Sequence, residues 1–208
     1  MQRLFRRTLF AALVALVALT LSGPVLSAQA QSPSPASPQP GKVLVKLETT
    51  KGDIVLELFK DKAPLSVGSF LQHAKSGFYN GTIFHRVING FMIQGGGFDA
   101  AMRERPEGQA IKNEADNGLK NTLYSVAMAR TADPHSASSQ FYINVKDNRS
   151  LDHRGKTDEG WGYAVFGVVV DGKRVVDEIK GVATGSRGPF ADVPLKPIVI
   201  NRVTVLSE

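Results

Sequence analysis

The densest run of chemically capable residues is Phe84-His85-Arg86-Val87-Ile88-Asn89-Gly90-Phe91-Met92-Ile93-Gln94-Gly95-Gly96-Gly97-Phe98. An arginine lies inside an apolar, strand-like stretch. A few residues on, Phe91, Met92 and Gln94 add a sticky surface with one amide. A charged donor set beside such a surface is unusual for plain core. The same residues also fit a core strand whose arginine snorkels to solvent or pairs with an acid. Residue types alone leave both readings open.

Other chemistries are poorly supplied. The absence of cysteine excludes disulfides, thiol nucleophiles and cysteine-based metal sites. His73, His85, His135 and His153 are the only histidines, and none stands at metal-ligand spacing from another histidine or a carboxylate. Each reads as a surface or hydrogen-bonded residue. Gly95-Gly96-Gly97 lacks the Lys-Ser/Thr ending of a phosphate loop and any helix signal after it, so it reads as backbone room in a turn. No nucleophile elbow is present. Asn80-Gly81-Thr82 and Asn148-Arg149-Ser150 match the glycosylation sequon, which matters only in a eukaryotic secretory host.

The elements that must position these residues are mostly strands. Val43 to Leu47 and Ile54 to Phe59 alternate and are joined by a turn at Thr50-Lys51-Gly52-Asp53, which predicts a hairpin. Pro64 suits a first helical position. Val67, Phe70, Leu71 and Ala74 then recur at helical spacing, with Gly77 placed to end the helix. Short apolar runs at Ile83 to Val87, Phe91 to Gln94, Tyr124 to Ala129, Gln140 to Val145 and Ala164 to Val170 are bounded by turn formers and read as strands. Val175, Val176 and Ile179 suggest a second, shorter helix, and Ile198 to Leu206 a final strand. Eight strands and two helices fit a mainly β fold, a closed or nearly closed antiparallel sheet with helices over its ends.

The net charge of +6 owes three units to Arg3, Arg6 and Arg7, which lie in an N-terminal leader without acids. The remaining 22 basic and 19 acidic residues are scattered rather than gathered into a stripe, which argues against a nucleic-acid partner. The leader itself has the three-part layout of a secretory signal. A basic start is followed by the apolar run Leu9 to Leu21, a break at Ser22-Gly23-Pro24 and a small-residue stretch ending Ala28-Gln29-Ala30, with cleavage expected after Ala30. The apolar run is shorter than the roughly 20 residues of a spanning helix. Residues 31–41, rich in Ser, Pro and Gln, cannot bury a core and read as a tether. One folded domain over 42–208 is expected, with a periplasmic or secreted location.

Several ordered blocks carry a family resemblance. They are Phe84 to Phe98, Ala127-Met128-Ala129-Arg130, Ser139-Gln140-Phe141-Tyr142-Ile143, Leu151-Asp152 and Tyr163-Ala164-Val165-Phe166-Gly167. From about Val43 to Val205 the chain resembles the cyclophilins. That resemblance implies an eight-stranded antiparallel barrel capped by two helices, and prolyl isomerase activity that needs no cofactor or metal. It places Arg86 at the catalytic position beside a proline pocket of Phe91, Met92, Tyr142 and Leu151. Gln94 matches the glutamine that holds the arginine and touches the peptide, Ala129 and Arg130 match the peptide-pairing segment, and Tyr163 stands where histidine is common.

Strict alternation would send Phe91 and Met92 to opposite faces, so both can line one pocket only if the chain bends after Gly90. Three positions depart from the pattern. Ser150 replaces a tryptophan that is a major cyclosporin contact in many eukaryotic members, so weak cyclosporin binding is expected. Tyr142 replaces phenylalanine and brings a hydroxyl that needs a partner. Arg130 replaces a smaller polar residue, either favouring acidic or extended peptides or standing solvated at the surface. The expected partners are proline-containing polypeptides, unfolded or newly exported. A monomer satisfies everything the sequence requires. A proline-segment-binding chaperone or adaptor with incidental turnover is the alternative function.

Overall fold

The computed structural model describes residues 42–106 and 108–208. The leader and the tether lie outside the described residues. Strands β1 (Val43–Thr49) and β2 (Gly52–Leu58) form the expected hairpin, and Val45, Leu47, Ile54 and Leu56 turn fully inward. Helix α1 (Pro64–Lys75) follows, with Pro64 in its first turn and Val67, Phe70, Leu71 and Ala74 on its buried face. Its N-terminus has no side-chain cap of its own. Glu114 supplies one from a distant loop, accepting from the Leu65 and Ser66 amides at 2.9 and 2.8 Å. At the other end Phe78 N bonds His73 O and Gly77 N bonds Ala74 O, a Schellman closure.

Then come β3 (Thr82–Ile88), β4 (Met92–Asp99), β5 (Ser125–Met128), β6 (Phe141–Asn144), β7 (Val165–Asp171), α2 (Lys173–Lys180), β8 (Thr184–Arg187), β9 (Phe190–Pro194) and β10 (Val199–Ser207). Eight strands close a barrel in the order β1-β10-β3-β4-β6-β5-β7-β2, every pair antiparallel. The eight strands and two helices expected from periodicity are all present. The main core joins the barrel interior to α1 through an aromatic cluster, in which Phe141 lies edge-on to Phe70, Tyr79 and Phe84 at centroid distances of 5.4, 5.6 and 6.2 Å.

Two features depart from expectation. Gly95-Gly96-Gly97 lies inside β4, not in a turn. Side chains of neighbouring segments cross this stretch: a Cβ on Gly97 would stand 2.5 Å from the Gln140 side chain, and one on Gly96 2.9 Å from the Tyr79 ring. The glycines therefore make room for packing against a strand. The other departure is the β8–β9 hairpin, a separate two-stranded sheet that packs beside β3.

Candidate active site

Three residues of the site, with Ala127 beside them, form one row across the outer face of the barrel. Arg86 on β3 is registered with Gln94 on β4, Gln94 with Tyr142 on β6, and Tyr142 with Ala127 on β5. Neighbouring strands lie about 4.8 Å apart, so Arg86 and Tyr142 are about 10 Å apart at the backbone. Their strand neighbours Val87, Ile93, Phe141 and Val126 turn into the main core. Period-two alternation thus puts the catalytic candidate and the pocket floor on one surface.

That surface is itself partly covered. All four residues of β5 and of β6 are buried, because Met92, Ala127, Tyr142 and Val165 form a second, smaller cluster packed by Ile88, Phe91, Leu119, Ala129, Leu151 and Tyr163. A hollow of about 100 Å³ opens in it, lined by Arg86, Phe91, Met92, Gln94, Ala129, Arg130, Tyr142, Leu151 and Tyr163. Every site residue expected from the sequence is in this lining. The bend needed after Gly90 is present: Gly90 has φ 73°, Phe91 stays in the turn, and β4 starts only at Met92. A second hollow of about 160 Å³ shares Gln94, Ala129 and Arg130 and continues past Thr131, Ser136, Ser138 and Gln140.

The side chains are held unequally. Arg86 keeps 45% of its side chain exposed at the rim, and its nearest acid is Asp192 of β9, with Nε 3.9 Å from Oδ2. Gln94 does not bond the guanidinium; its amide donates to Gln140 Oε1 at 3.0 Å. Arg130 is neither free nor fully solvated. Its Nε donates to Gly162 O at 3.0 Å, its Nη1 to Thr131 O and Ala132 O, and its guanidinium lies 4.6 Å from the centre of the Tyr163 ring. Tyr163 meets the Tyr142 ring edge-on at 5.8 Å.

The Tyr142 hydroxyl donates to Asn121 Oδ1 at 2.8 Å, and burial pushes the phenol well above its ordinary pKa. Asn121, Asn144 and Asn148 form a buried polar network under the hollow that sequence reasoning missed. The signal available was only the asparagines themselves. Asn148, read as a glycosylation sequon, is 7% exposed and spends its amide on Phe91 O and Asn144 Oδ1, so it is not placed to accept a glycan. His85, read as a surface or hydrogen-bonded residue, is buried at 6% exposure, with Nδ1 unpartnered. Burial, and then the neighbouring Arg86 charge, hold its pKa down to about 4.

A barrel with two helices and an arginine at the lip of an aromatic-walled hollow defines an enzyme-like peptide site, and the comparisons give its class. The family model described as cyclophilin type peptidyl-prolyl cis-trans isomerase/CLD matches residues 44–205. The chain therefore belongs to the cyclophilin family, and it is a peptidyl-prolyl cis-trans isomerase. It is 57% identical over 162 residues to peptidyl-prolyl cis-trans isomerase B of Escherichia coli strain K12, covering 78% of this chain and 99% of that one. It is 51% identical over 184 residues to peptidyl-prolyl cis-trans isomerase A of Dickeya dadantii, covering 88% and 94%. Among solved structures it resembles a Cryptosporidium parvum cyclophilin-type isomerase crystallised in the presence of the dipeptide Ala-Pro, with TM-score 0.65, 27% identity and coverage of 79% and 99%.

Proposed function

We propose that the chain accelerates X-Pro rotation by seating the proline ring in the 100 Å³ hollow and donating from Arg86 to the prolyl nitrogen. The planar amide resists rotation by about 18–20 kcal/mol through resonance, and uncatalysed exchange takes roughly tens of seconds. In the twisted transition state resonance is lost and the nitrogen regains a lone pair. A guanidinium aimed there binds the transition state better than the planar ground state. The apolar walls hold the ring still while the carbonyl side turns. One well-aimed donor supplies about 3–4 kcal/mol, and a decade in rate takes about 1.4 kcal/mol. Arg86 therefore accounts for two or three decades, and ring contacts must supply the rest.

The observation that carries this reading is that an exposed guanidinium and an apolar hollow share one lining. Arg86→Ala is expected to lower kcat/KM on an Ala-Pro peptide by roughly 10²–10³ with the fold intact, in a protease-coupled assay. Near-wild-type turnover would sink the assignment. The adjoining hollow, rich in hydroxyls and amides, suits residues flanking the proline, and its one guanidinium favours polar or acidic side chains there.

The substrates we propose are unfolded or newly exported polypeptides, met after secretion and removal of residues 1–30. The basic start, apolar run and Ala-Gln-Ala boundary support that reading. Mass analysis of the exported protein should find a chain beginning at Gln31. Ser150 is exposed next to Leu151 and presents no aromatic wall to a large cyclic ligand. Cyclosporin should therefore bind weakly, and a nanomolar Kd in titration calorimetry would count against this. One copy of the chain suffices for the site, since all its lining residues come from a single barrel.

A further inference from the structure

Asn121 is 2% exposed and lies behind the hollow, outside its lining. Three of its partners nevertheless belong to the lining. Its Oδ1 accepts from the Tyr142 hydroxyl at 2.8 Å, and its Nδ2 faces Leu151 O at 3.2 Å and Tyr163 O at 3.4 Å. Asn121 is itself clamped. Its backbone N–H donates to Asp152 Oδ1 at 2.8 Å, its carbonyl accepts from Asn148 N at 2.7 Å, and its Oδ1 also accepts from Asn144 Nδ2 at 3.2 Å. Through Asn144 the network reaches Asn148, whose amide donates to Phe91 O at 2.7 Å. The floor and three walls of the hollow are thereby tied to one buried amide cluster.

Apolar packing is non-directional, so rings and a leucine alone leave the width of a hollow loosely determined. Hydrogen bonds have narrow length and angle ranges and fix it. A buried amide whose partners are drawn from a floor and two walls sets the spacing between them. We infer that Asn121 is a positioning residue that sets the width and depth of the hollow, and so makes the enzyme selective for the five-membered ring of proline over smaller and larger cyclic imino acids. This inference rests on the proline ring occupying that hollow. The pairing of Asn121 with the Tyr142 hydroxyl also gives that hydroxyl a function: the floor is held at a fixed depth by its own tip.

The test compares peptides in which Ala precedes proline, azetidine-2-carboxylate or pipecolate, with cis-trans exchange followed by NMR exchange spectroscopy on the full mature chain. One methylene in a fitted pocket is worth about 10–200-fold. Asn121→Ala is expected to lower the proline-to-pipecolate ratio of kcat/KM by about fivefold or more. KM for the proline peptide should rise about fivefold with kcat within about twofold, because the walls hold the ring alike in planar and twisted amides. A merely structural role would lower Tm and leave the ratio untouched, so a folded Asn121→Ala protein with the wild-type ratio overturns the inference. Should that variant fail to fold, Tyr142→Phe removes only the hydroxyl and is expected to shift the ratio the same way by about twofold or more; an unchanged ratio is equally fatal. Arg86→Ala, run in parallel, separates the two layers. Wild-type turnover by that variant defeats the site reading, whereas failure of the Asn121 inference leaves the Arg86 loss in place.

Discussion

The apolar hollow and the Arg86 flank lie within two strands of each other and are held in different ways. Under the hollow, Tyr142, Asn121, Asn144 and Asn148 are all buried and bond one another at 2.6 to 3.2 Å. On the flank, Arg86 stands half exposed and meets Asp192 at 3.9 Å, on a hairpin outside the barrel. The hollow is firmly framed because a buried polar group without its partner is costly. Arg86 is loosely held, so under the proposed mechanism its guanidinium is available to follow a nitrogen that changes shape during rotation. In that proposal, binding geometry is built into the scaffold and reorientation is left to one long side chain.

This contrast can be broken in three places. The largest effect is expected at Asn144, which is fully buried and donates to Asn121 Oδ1 and Ser125 Oγ while accepting from Asn148. Asn144→Leu strands several of those groups at about 1–3 kcal/mol each, and should cost about 4 kcal/mol in urea unfolding. A loss under about 1 kcal/mol would mean that the network is soft. On the flank, the folded state holds His85 down to about 4, against about 6.5 in the unfolded chain. The unfolded chain therefore takes up this proton first as pH falls. Stability that is complete above pH 6.5 should decline by about 3 kcal/mol on the way to pH 4 and level off below it. His85→Asn should flatten that window, and an unchanged pH profile would locate the acid sensitivity elsewhere. The smallest effect is expected at the ion pair itself. Asp192→Asn should change stability by less than about 1 kcal/mol and kcat/KM by no more than about twofold, with salt reducing the difference. A tenfold change in turnover would show that Arg86 is held as firmly as the hollow.

The same division governs what could be read from the sequence. The barrel strands and α1 were legible because burial on one face leaves a period in the chain, as with Val43, Val45 and Leu47 or Val67, Phe70, Leu71 and Ala74. The lining was legible through the ordered blocks of the family resemblance, including the need for a bend at Gly90. The β8–β9 hairpin was not. Thr184-Gly185-Ser186-Arg187 is mostly exposed and carries no apolar alternation. The glycine run looked like a turn because what fills the space beside it belongs to Tyr79 and Gln140, residues with no local signature. Asn121 sits among Gly118, Leu119, Lys120 and Thr122, which read as loop. Its wall partners are 21, 30 and 42 residues away, beyond the range of any periodicity.

Barrel closure carries a consequence for synthesis. Strand β1 is flanked by β2 on one side and by β10 on the other, with Leu44 registered opposite Ser207. The first strand of the domain therefore waits, with one edge open, until the last strand is available to pair. So does the free edge of β3, which β10 also covers. Contacts spanning the whole domain form slowly, and open edges invite pairing with other chains. A chain shortened by its final nine or ten residues would keep every residue of the hollow and still be left with two unpaired edges. The final strand of the barrel, far in sequence from the hollow, thus covers both edges and guards the folded enzyme against edge-to-edge pairing.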